Sequence, residues 1–489
     1  EYFFCMHLGK QQQKTTMNSA LSYFSSKLAG FSQNTFSLSA SGKTSNLVAN
    51  DVLIFSLPSS AIIDTRSLRI AFNLTVISDA AARAPGDLQK LISRVEVLVG
   101  GQSVGAQVNH GLLVSMKERL YGSSASVTAH PDIVRAVGDY STIAMVTTDE
   151  EKQVGSELAA GSAVLTTASV PYIIELSCNF LSTCQPRYLD ASLMNQIQVR
   201  LTLAPNSVLS VSTNLSVPTM GMYAANANPV EFDTPVTGLS ATYQLDNVVA
   251  TMSAISFASS EYDVLLADQM QSQGFISIPF RNTFGFRQSH TGSSKFNIST
   301  RSLDRIIYGF LYTGASEAGT TGRPMLKNSS VINSPSLVPG FLVEASHQAS
   351  KYGSGLERYV GAWETYGVPS KEFTVQCSIN NSFLPQAPVG AAQAGAITEV
   401  ATGVKLPFNT NPLSRLTTDF VNCFSFCMQD SENFRVASGQ DCRGSQVTAQ
   451  LLTSGNFDIG STPSWDSIIF AECTSEMRLS VGRSCTIVN

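Results

Sequence analysis

Charged side chains are scarce in this sequence. Asp, Glu, Lys and Arg make up only 14% of the 489 residues, the formal net charge is −5, and no segment carries a dense run of Lys and Arg. Proteins that bind nucleic acid directly need clustered basic side chains to neutralise the phosphates. The composition therefore argues against direct binding of nucleic acid.

Long apolar runs are also missing. No segment approaches the roughly 20 apolar residues with which a helix spans a bilayer, so the sequence predicts no transmembrane segment. The opening stretch, EYFFCMHLGKQQQKTT, is too short and too polar for a secretory signal. Met17 is a more plausible start than Glu1, and residues 1–16 are interpreted as upstream translation or a processed piece. We expect residues 1–29 to form an N-terminal arm.

Cysteine pairs and clustered metal ligands are not visible either. The chain has nine cysteines, an odd number, without a CxxC pair, and its five histidines lie far apart. This pattern predicts reduced, partly buried thiols in a protein made in a reducing compartment, with a disulfide framework as the minor alternative. It predicts no bound metal and no cofactor.

The motifs of catalysis and of phosphate binding are incomplete. Gly100, Gly101 and Gly105 do not have the GxGxxG spacing of a dinucleotide-binding loop. The GKT that begins at Gly42 lacks the glycine that a phosphate-binding loop has five residues earlier, where Ser37 stands. Neither GxSxG nor HExxH occurs. We therefore predict that the protein is not an enzyme, and that Gly100 and Gly101 turn a strand toward a helix.

Five Asn-x-Ser/Thr sequons occur in the sequence. They matter only if the chain meets a glycosylation machinery. Asn214 and Asn328 lie in predicted loops and are the best candidates for carrying a glycan.

Alternation of apolar and polar residues is what the sequence has in abundance. In RSLRIAFNLTV (66–76) and QIQVRLTL (196–203), every second residue is apolar, which is typical of a strand with one buried face. Helical periodicity is confined to isolated segments, chiefly 111–120, capped by Asn109, and 261–270. Long uncharged loops separate the strands, and we expect them to pack on neighbouring subunits. The pattern predicts an all-β, sandwich-like protein.

Five segments, in the same order along the chain, resemble the double jelly-roll major capsid proteins of nucleocytoplasmic large DNA viruses, virophages and polinton-like viruses. LISRVEVLVGGQSVGAQVNHGLLVSMKERL (91–120) resembles a strand that ends in Gly-Gly-Gln before a helix. The other four are IFSLPSSAIIDTRSLRIAFNLTV (54–76), FTVQCSINNSF (373–383), VNCFSFCMQDSENFRVASGQDCRGSQVTAQLL (421–452) and SIIFAECTSEMRLSVGRSCTIV (467–488). Within them, Phe424-Ser425-Phe426, Ser438-Gly439, Met477-Arg478-Leu479 and Gly482 carry the match.

The resemblance implies two consecutive eight-stranded antiparallel jelly rolls with short inserted helices and long loops. We expect the first at residues 30–312, a connection at 313–334 and the second at 335–489. The resemblance further implies a homotrimeric, pseudo-hexagonal capsomer that tiles an icosahedral shell around double-stranded DNA. The partners would be further copies of the chain, with minor capsid and penton proteins. The location would be the virion, assembled in the infected host cell.

Two other functions compete with the capsid interpretation. A secreted or surface β-sandwich adhesin or lectin predicts an export signal and paired cysteines, and neither is visible. A β-rich carbohydrate-active enzyme predicts paired carboxylates in a cleft and several exposed aromatic side chains. The chain has only two tryptophans, Trp363 and Trp465, and no acidic pair stands out.

Overall fold

The structure is a computed structural model with most of its described residues in strands. It describes residues 31–78, 81–83, 88–121, 155–156, 165–166, 170–176, 179–212, 241–257, 268, 270–272, 274–290, 292–312, 323–327, 359–361, 374–380, 382–402, 420–427, 439–443, 448–454, 465–480 and 483–488. The predicted arm at 1–29 and most of the predicted helix at 261–270 lie outside these residues.

The described strands and helices are as follows. The strands are β1 (Phe31–Ser39), β2 (Val52–Ser56), β3 (Ile62–Asp64), β4 (Arg69–Ser78), β5 (Ala81–Arg83), β6 (Ile92–Val99), β7 (Gln102–Val108), β8 (Gly155–Ser156), β9 (Leu165–Thr166), β10 (Val170–Glu175), β11 (Tyr188–Asp190), β12 (Ile197–Leu203), β13 (Ser210–Ser212), β14 (Ala241–Phe257), β15 (Phe275–Ser289), β16 (Ser293–Asn297), β17 (Leu303–Tyr312), β18 (Arg323–Lys327), β19 (Tyr359–Gly361), β20 (Thr374–Ile379), β21 (Ser382–Gly390), β22 (Val421–Ser425), β23 (Thr448–Ser454), β24 (Trp465–Ser480) and β25 (Ser484–Val488). The helices are α1 (His110–Tyr121), α2 (Asn179–Thr183) and α3 (Ala391–Thr402), with short 3-10 helices at Leu88–Leu91, Ala191–Leu193 and Asn206–Val208.

Four antiparallel sheets form two sandwiches. In the first sandwich the sheets run β1-β14-β4-β10 and β2-β12-β6-β7, with β3, β9 and β11 extending the former. In the second they run β15-β24-β17-β22 and β16-β23-β20-β21, with β25 beside β24. If the eight main strands of each sandwich are counted along the chain, both have the orders 1-8-3-6 and 2-7-4-5. This is the strand order of a jelly roll, and it occurs twice.

The boundary between the two jelly rolls lies earlier than the sequence predicted. Strands β15, β16 and β17, which we assigned to the first roll at 30–312, pair with β24, β23 and β22 of the second. β20, which lies in the segment 373–383, is the fourth main strand of the second roll. Alternation identifies a strand but not its partner, and these partners are far away in sequence. The predicted connection at 313–334 contains β18, which pairs with β13 and β19.

Each jelly roll has a core made by the inward faces of its two sheets. The alternation predicted for β4 is confirmed, because Ile70, Phe72, Leu74 and Val76 are all buried in the first core. The second core is richer in aromatic rings, with Tyr308 stacked on Phe424 at a centroid distance of 4.9 Å. All seven described cysteines are free thiols, and most are buried.

The two glycines at 100 and 101 form a two-residue hairpin turn. Val99 pairs directly with Gln102, and φ is +58° at Gly100 and +84° at Gly101. Positive φ at both central residues defines a type I′ turn, whose twist matches that of the flanking strands. The predicted turn is therefore present, but it leads into β7, and helix α1 begins only after that strand.

Gly101 allows a clean test of this turn, because a Cβ there would have nothing within 4 Å. We expect Gly101→Val to lower the free energy of unfolding by about 1–2 kcal/mol, the cost of a left-handed conformation for a residue with a Cβ branch. Gly101→Asn should cost less than half of that, because Asn tolerates this region. Urea denaturation measures both values, and equal losses for the two variants would contradict the assignment of the turn.

Candidate functional site

The two jelly rolls meet at a junction that buries both apolar and charged side chains. Helix α1 leaves the first roll and lies on the outer face of sheet β15-β24-β17-β22 of the second. Its apolar stripe, predicted from the sequence, is completely buried. The resulting cluster contains Leu112, Leu113, Met116 and Leu120 of α1 together with Ile307, Leu311, Ala401, Val421, Cys423, Ile468 and Phe470 of the second roll.

Asn109 directly precedes α1 and contacts its first turn through the backbone. The carbonyl of Asn109 accepts the N–H groups of Leu112 and Leu113, and Asn109 has a φ of +56°. A Cβ on Gly111 would lie 2.9 Å from the Cα of Lys90, so the helix packs closely against the 3-10 helix Leu88–Leu91. This contact fixes α1 to the first roll while its stripe contacts the second.

An ion pair crosses the same junction. Lys117 Nζ on α1 lies 2.7 Å from Glu472 Oε1 on β24, and the Glu472 side chain is only 5% exposed. Burial by itself would raise the pKa of Glu472. The charge and hydrogen bond of Lys117, with the charges of Arg305 and Arg281, outweigh burial and hold that pKa below its ordinary value. A carboxylate at this depth needs its partner, so the pair fixes which face of α1 meets β24.

The first residue of α1 is a histidine whose side chain is buried without a hydrogen bond. His110 is completely buried, and neither ring nitrogen has a hydrogen-bond partner among the described residues. Burial lowers the pKa of His110 to about 3, and the charge of Lys117 acts in the same direction. The imidazole is therefore neutral at physiological pH, and its protonation opposes folding.

Helix α2 of the first roll docks on strand β15 of the second. Phe180 meets Phe280 edge to face, with ring centroids 5.2 Å apart. Asn179 Nδ2 donates to Asn282 Oδ1 at 3.0 Å, and Thr183 Oγ1 accepts from the backbone N–H of Arg281 at 3.0 Å. The junction therefore combines apolar contact with hydrogen bonds that fix its register.

Close approach of the two rolls requires a glycine in β15. A Cβ added to Gly285 would lie 2.8 Å from the carbonyl oxygen of Val108 in β7, and 2.7 Å from Phe470 Cε1. Both neighbours are held in place, Val108 by its backbone and Phe470 by complete burial. Only glycine fits this position.

Two of the motifs on which the family resemblance rests have identifiable structural roles. Asp64, in the segment 54–76, accepts hydrogen bonds from Arg187 Nε at 2.9 Å and Nη2 at 2.7 Å. Burial would raise the pKa of Asp64, but its bonds to Arg187 and Arg66 keep that pKa below its ordinary value. Gly439 lies directly against the carbonyl of Leu303, which leaves no space for a side chain.

Asn214 and Asn328, the predicted glycosylation sites, lie outside the described residues. Within the described part of the chain, no cluster of three or more His, Cys, Asp or Glu could hold a metal ion, and no helix is long and apolar enough to cross a membrane. The sequence analysis missed Glu472 and Gly285. The available signals were a carboxylate directly after the apolar run 468–471 and a glycine between two phenylalanines.

Comparison with known proteins identifies the architecture. No protein-family model and no curated protein sequence matches the chain. Among solved structures, the Faustovirus major capsid protein superposes with a TM-score of 0.55 at 12% identity, covering 93% of this chain and 92% of that one. PBCV-1 VP54, fitted into a reconstruction of the virophage Sputnik, gives 0.52 at 10% identity over 96% and 99% of the two chains.

This chain has the double jelly-roll fold. The PBCV-1 virus capsid model, with a TM-score of 0.50 at 11% identity, covers 96% of this chain and 99% of that one. Because the matches extend over nearly the whole of each chain, both jelly rolls and their order are shared. The fold expected from the five sequence segments is therefore confirmed.

The junction between the rolls can be tested with two glycines that face it. Gly285→Ala should lower the free energy of unfolding by about 1–3 kcal/mol, the usual cost of overpacking, because β7 and β15 must separate. Gly105→Ala is the matched control. Its Cβ would lie 3.4 Å from Asn282 Oδ1 and 3.6 Å from Asn179 Cβ. It should change stability by less than about 0.5 kcal/mol. Thermal unfolding that is equally affected by both changes would contradict the close approach.

His110 predicts a pH dependence of stability. Its pKa in the folded chain, about 3, lies below the ordinary value of 6.5, so the unfolded chain binds an extra proton as the pH falls below 6.5. Stability should therefore fall from about pH 6.5 downward, by up to about 1.4 kcal/mol per pH unit from this residue. His110→Leu should remove that slope without loss at neutral pH, because no hydrogen bond is lost.

His290 provides the comparison for this experiment. Burial lowers the pKa of His290 to about 4, but its Nε2 is 2.9 Å from Thr453 Oγ1. His290→Leu should also reduce the slope, but it should destabilise the protein at neutral pH by about 1 kcal/mol. Urea denaturation at several pH values measures both effects. An unchanged slope in His110→Leu would show that the ring is not held neutral.

Proposed function

We propose that this protein is a viral major capsid protein. The observation that carries the proposal is the near full-length superposition on the Faustovirus major capsid protein, with both rolls in the same order. The chain forms homotrimeric, pseudo-hexagonal capsomers that tile an icosahedral shell around a double-stranded DNA genome. Its role is structural rather than catalytic, and its place is the virion.

The geometry of the chain supports this role. Two similar rolls joined by a rigid junction give each subunit two of the six positions around a near-hexagonal block, so three copies complete it. Cyclic assemblies of this kind are closed and can tile a larger surface. The low content of charged residues supports extensive burial between subunits, because charged residues are depleted in the centres of interfaces.

The proposal also covers the partners of the chain, its domain division and its glycan acceptors. The partners are further copies of the chain, together with minor capsid and penton proteins that close the shell. The strand pairings favour a first roll at about 31–257 and a second at about 275–488, and residues 1–29 are proposed as an N-terminal arm. Asn214 and Asn328 are proposed as the glycan acceptors.

The mass of the purified full chain in solution tests this function. Light scattering should give about three times the mass of one chain, and negative-stain images should show particles with a hexagonal outline. A monomer at every concentration, with binding to an immobilised glycan panel, would overturn the proposal in favour of the adhesin or lectin alternative. The Gly105→Ala variant, which should leave the junction intact, controls for handling of the protein.

A further inference from the structure

Helix α1 can leave the second roll without breaking any strand pairing, because it belongs to no sheet. Its backbone hydrogen bonds are internal to the helix. On one side Gly111 lies against the 3-10 helix Leu88–Leu91 of its own roll, and on the other side its apolar stripe and Lys117 contact the second roll. Side chains alone therefore hold α1 on the second roll, and such contacts open locally at a lower free energy than the whole fold.

His110 lies where the contact between α1 and the second roll begins. Two residues before it, the carbonyl oxygen of Val108 lies close to Gly285 of the second roll, and three residues after it, Leu113 is buried in the cluster that both rolls share. Residues three and seven positions apart share one face of a helix, so His110, Leu113 and Lys117 lie on the same side of α1. The buried imidazole therefore belongs to the side of α1 that meets the second roll.

The charged groups around α1 offer His110 no free counter-ion. On the helix itself, the positive charge of Lys117 opposes a second positive charge. The described charged residues on the elements around α1 are Lys90 on the 3-10 helix, Arg94 and Glu96 on β6, Arg281 and Arg287 on β15, Arg305 on β17, Asp466 and Glu472 on β24, and Glu399 on α3. Glu96, Asp466 and Glu472 already have cationic partners at distances of 2.6 to 3.3 Å. Neither ring nitrogen of His110 bonds to a described residue.

We infer that acid releases α1 from the second roll, through protonation of His110, while both jelly rolls stay folded. A charged imidazole without a partner is far more stable in water than in a buried site, so acid favours the state in which α1 has lifted. Glu472 acts in the same direction at lower pH, because its protonation removes the attraction of Lys117. For the proposed capsid function, this device would let low pH loosen a subunit without unfolding it.

The pH window follows from the two states of His110. While α1 is docked, burial lowers the pKa of His110 to about 3, and once α1 has lifted the pKa returns to its ordinary value of 6.5. The lifted state therefore gains a proton as the pH falls below about 6.5, and the docked state does not. Between pH 7 and pH 5, this linkage raises the ratio of lifted to docked molecules by about 25-fold.

Three cysteines report on the release of α1. Cys423 lies on β22 in the cluster that α1 covers, and it is 1% exposed. Cys377 is also completely buried, but it belongs to the core of the second roll, which becomes accessible only when that roll unfolds. Cys485 is half-buried, and its reaction serves as the reference for the pH dependence of the reagent itself.

Labelling of the full chain with a pyridyl disulfide, followed by mass spectrometry of its peptides, tests the inference. From pH 7 to pH 5, the rate at Cys423 relative to that at Cys485 should rise by about 25-fold, while Cys377 stays protected. His110→Leu should abolish most of that rise. His290→Leu is the matched control and should retain it, because His290 is a buried histidine that bonds to Thr453, on strand β23 of the opposite sheet.

Two results would overturn the release of α1. If Cys423 and Cys377 became reactive together as the pH falls, the second roll would be unfolding as a whole. If the rise at Cys423 were absent, or equally large in His110→Leu, the histidine would not control the helix. Glu472→Gln provides a second variant: it should increase labelling of Cys423 at pH 7 and keep the rise toward pH 5, and loss of that rise would also contradict the role of His110. None of these outcomes depends on whether the chain forms trimers.

Discussion

Strands β15 and β24 pair without interruption from Phe275 opposite Ser480 to Ser289 opposite Asp466. The two jelly rolls share this ribbon. At one end Ile278 and Met477 are part of the first core, whereas further along the same strands the side chains belong to the second core. Because one continuous ladder supplies side chains to both cores, the rolls cannot rotate against each other without breaking its backbone hydrogen bonds. The contacts of α1 and α2 and the position of Gly285 all depend on that orientation.

The side chains at the junction show how the orientation is specified rather than only stabilised. Apolar contact by α1 would tolerate small rotations, because hydrophobic attraction has no direction. Lys117 and Glu472 remove that freedom, since any displacement that separates them leaves a buried carboxylate without its partner. Gly285 limits the distance in the same way, because it allows β7 to approach and no other residue would. Burial of His110 lowers the stability of the folded chain only when the pH falls below the ordinary pKa of histidine, and not at neutral pH.

Much of the fold could be predicted from the sequence, and the limits have physical causes. Alternation identified β4 and β12 with their buried faces, and helical periodicity identified α1, because these signals are local. The predicted boundary between the rolls was wrong. β15 pairs with β24 at the far end of the second roll, and no local pattern of residues encodes a pairing over that distance. The short spacing between Gly101 and α1 concealed β7, whose seven residues include a glycine and two glutamines and alternate poorly. Glu472 and Lys117 could not be matched, since their contact depends on how one roll sits on the other.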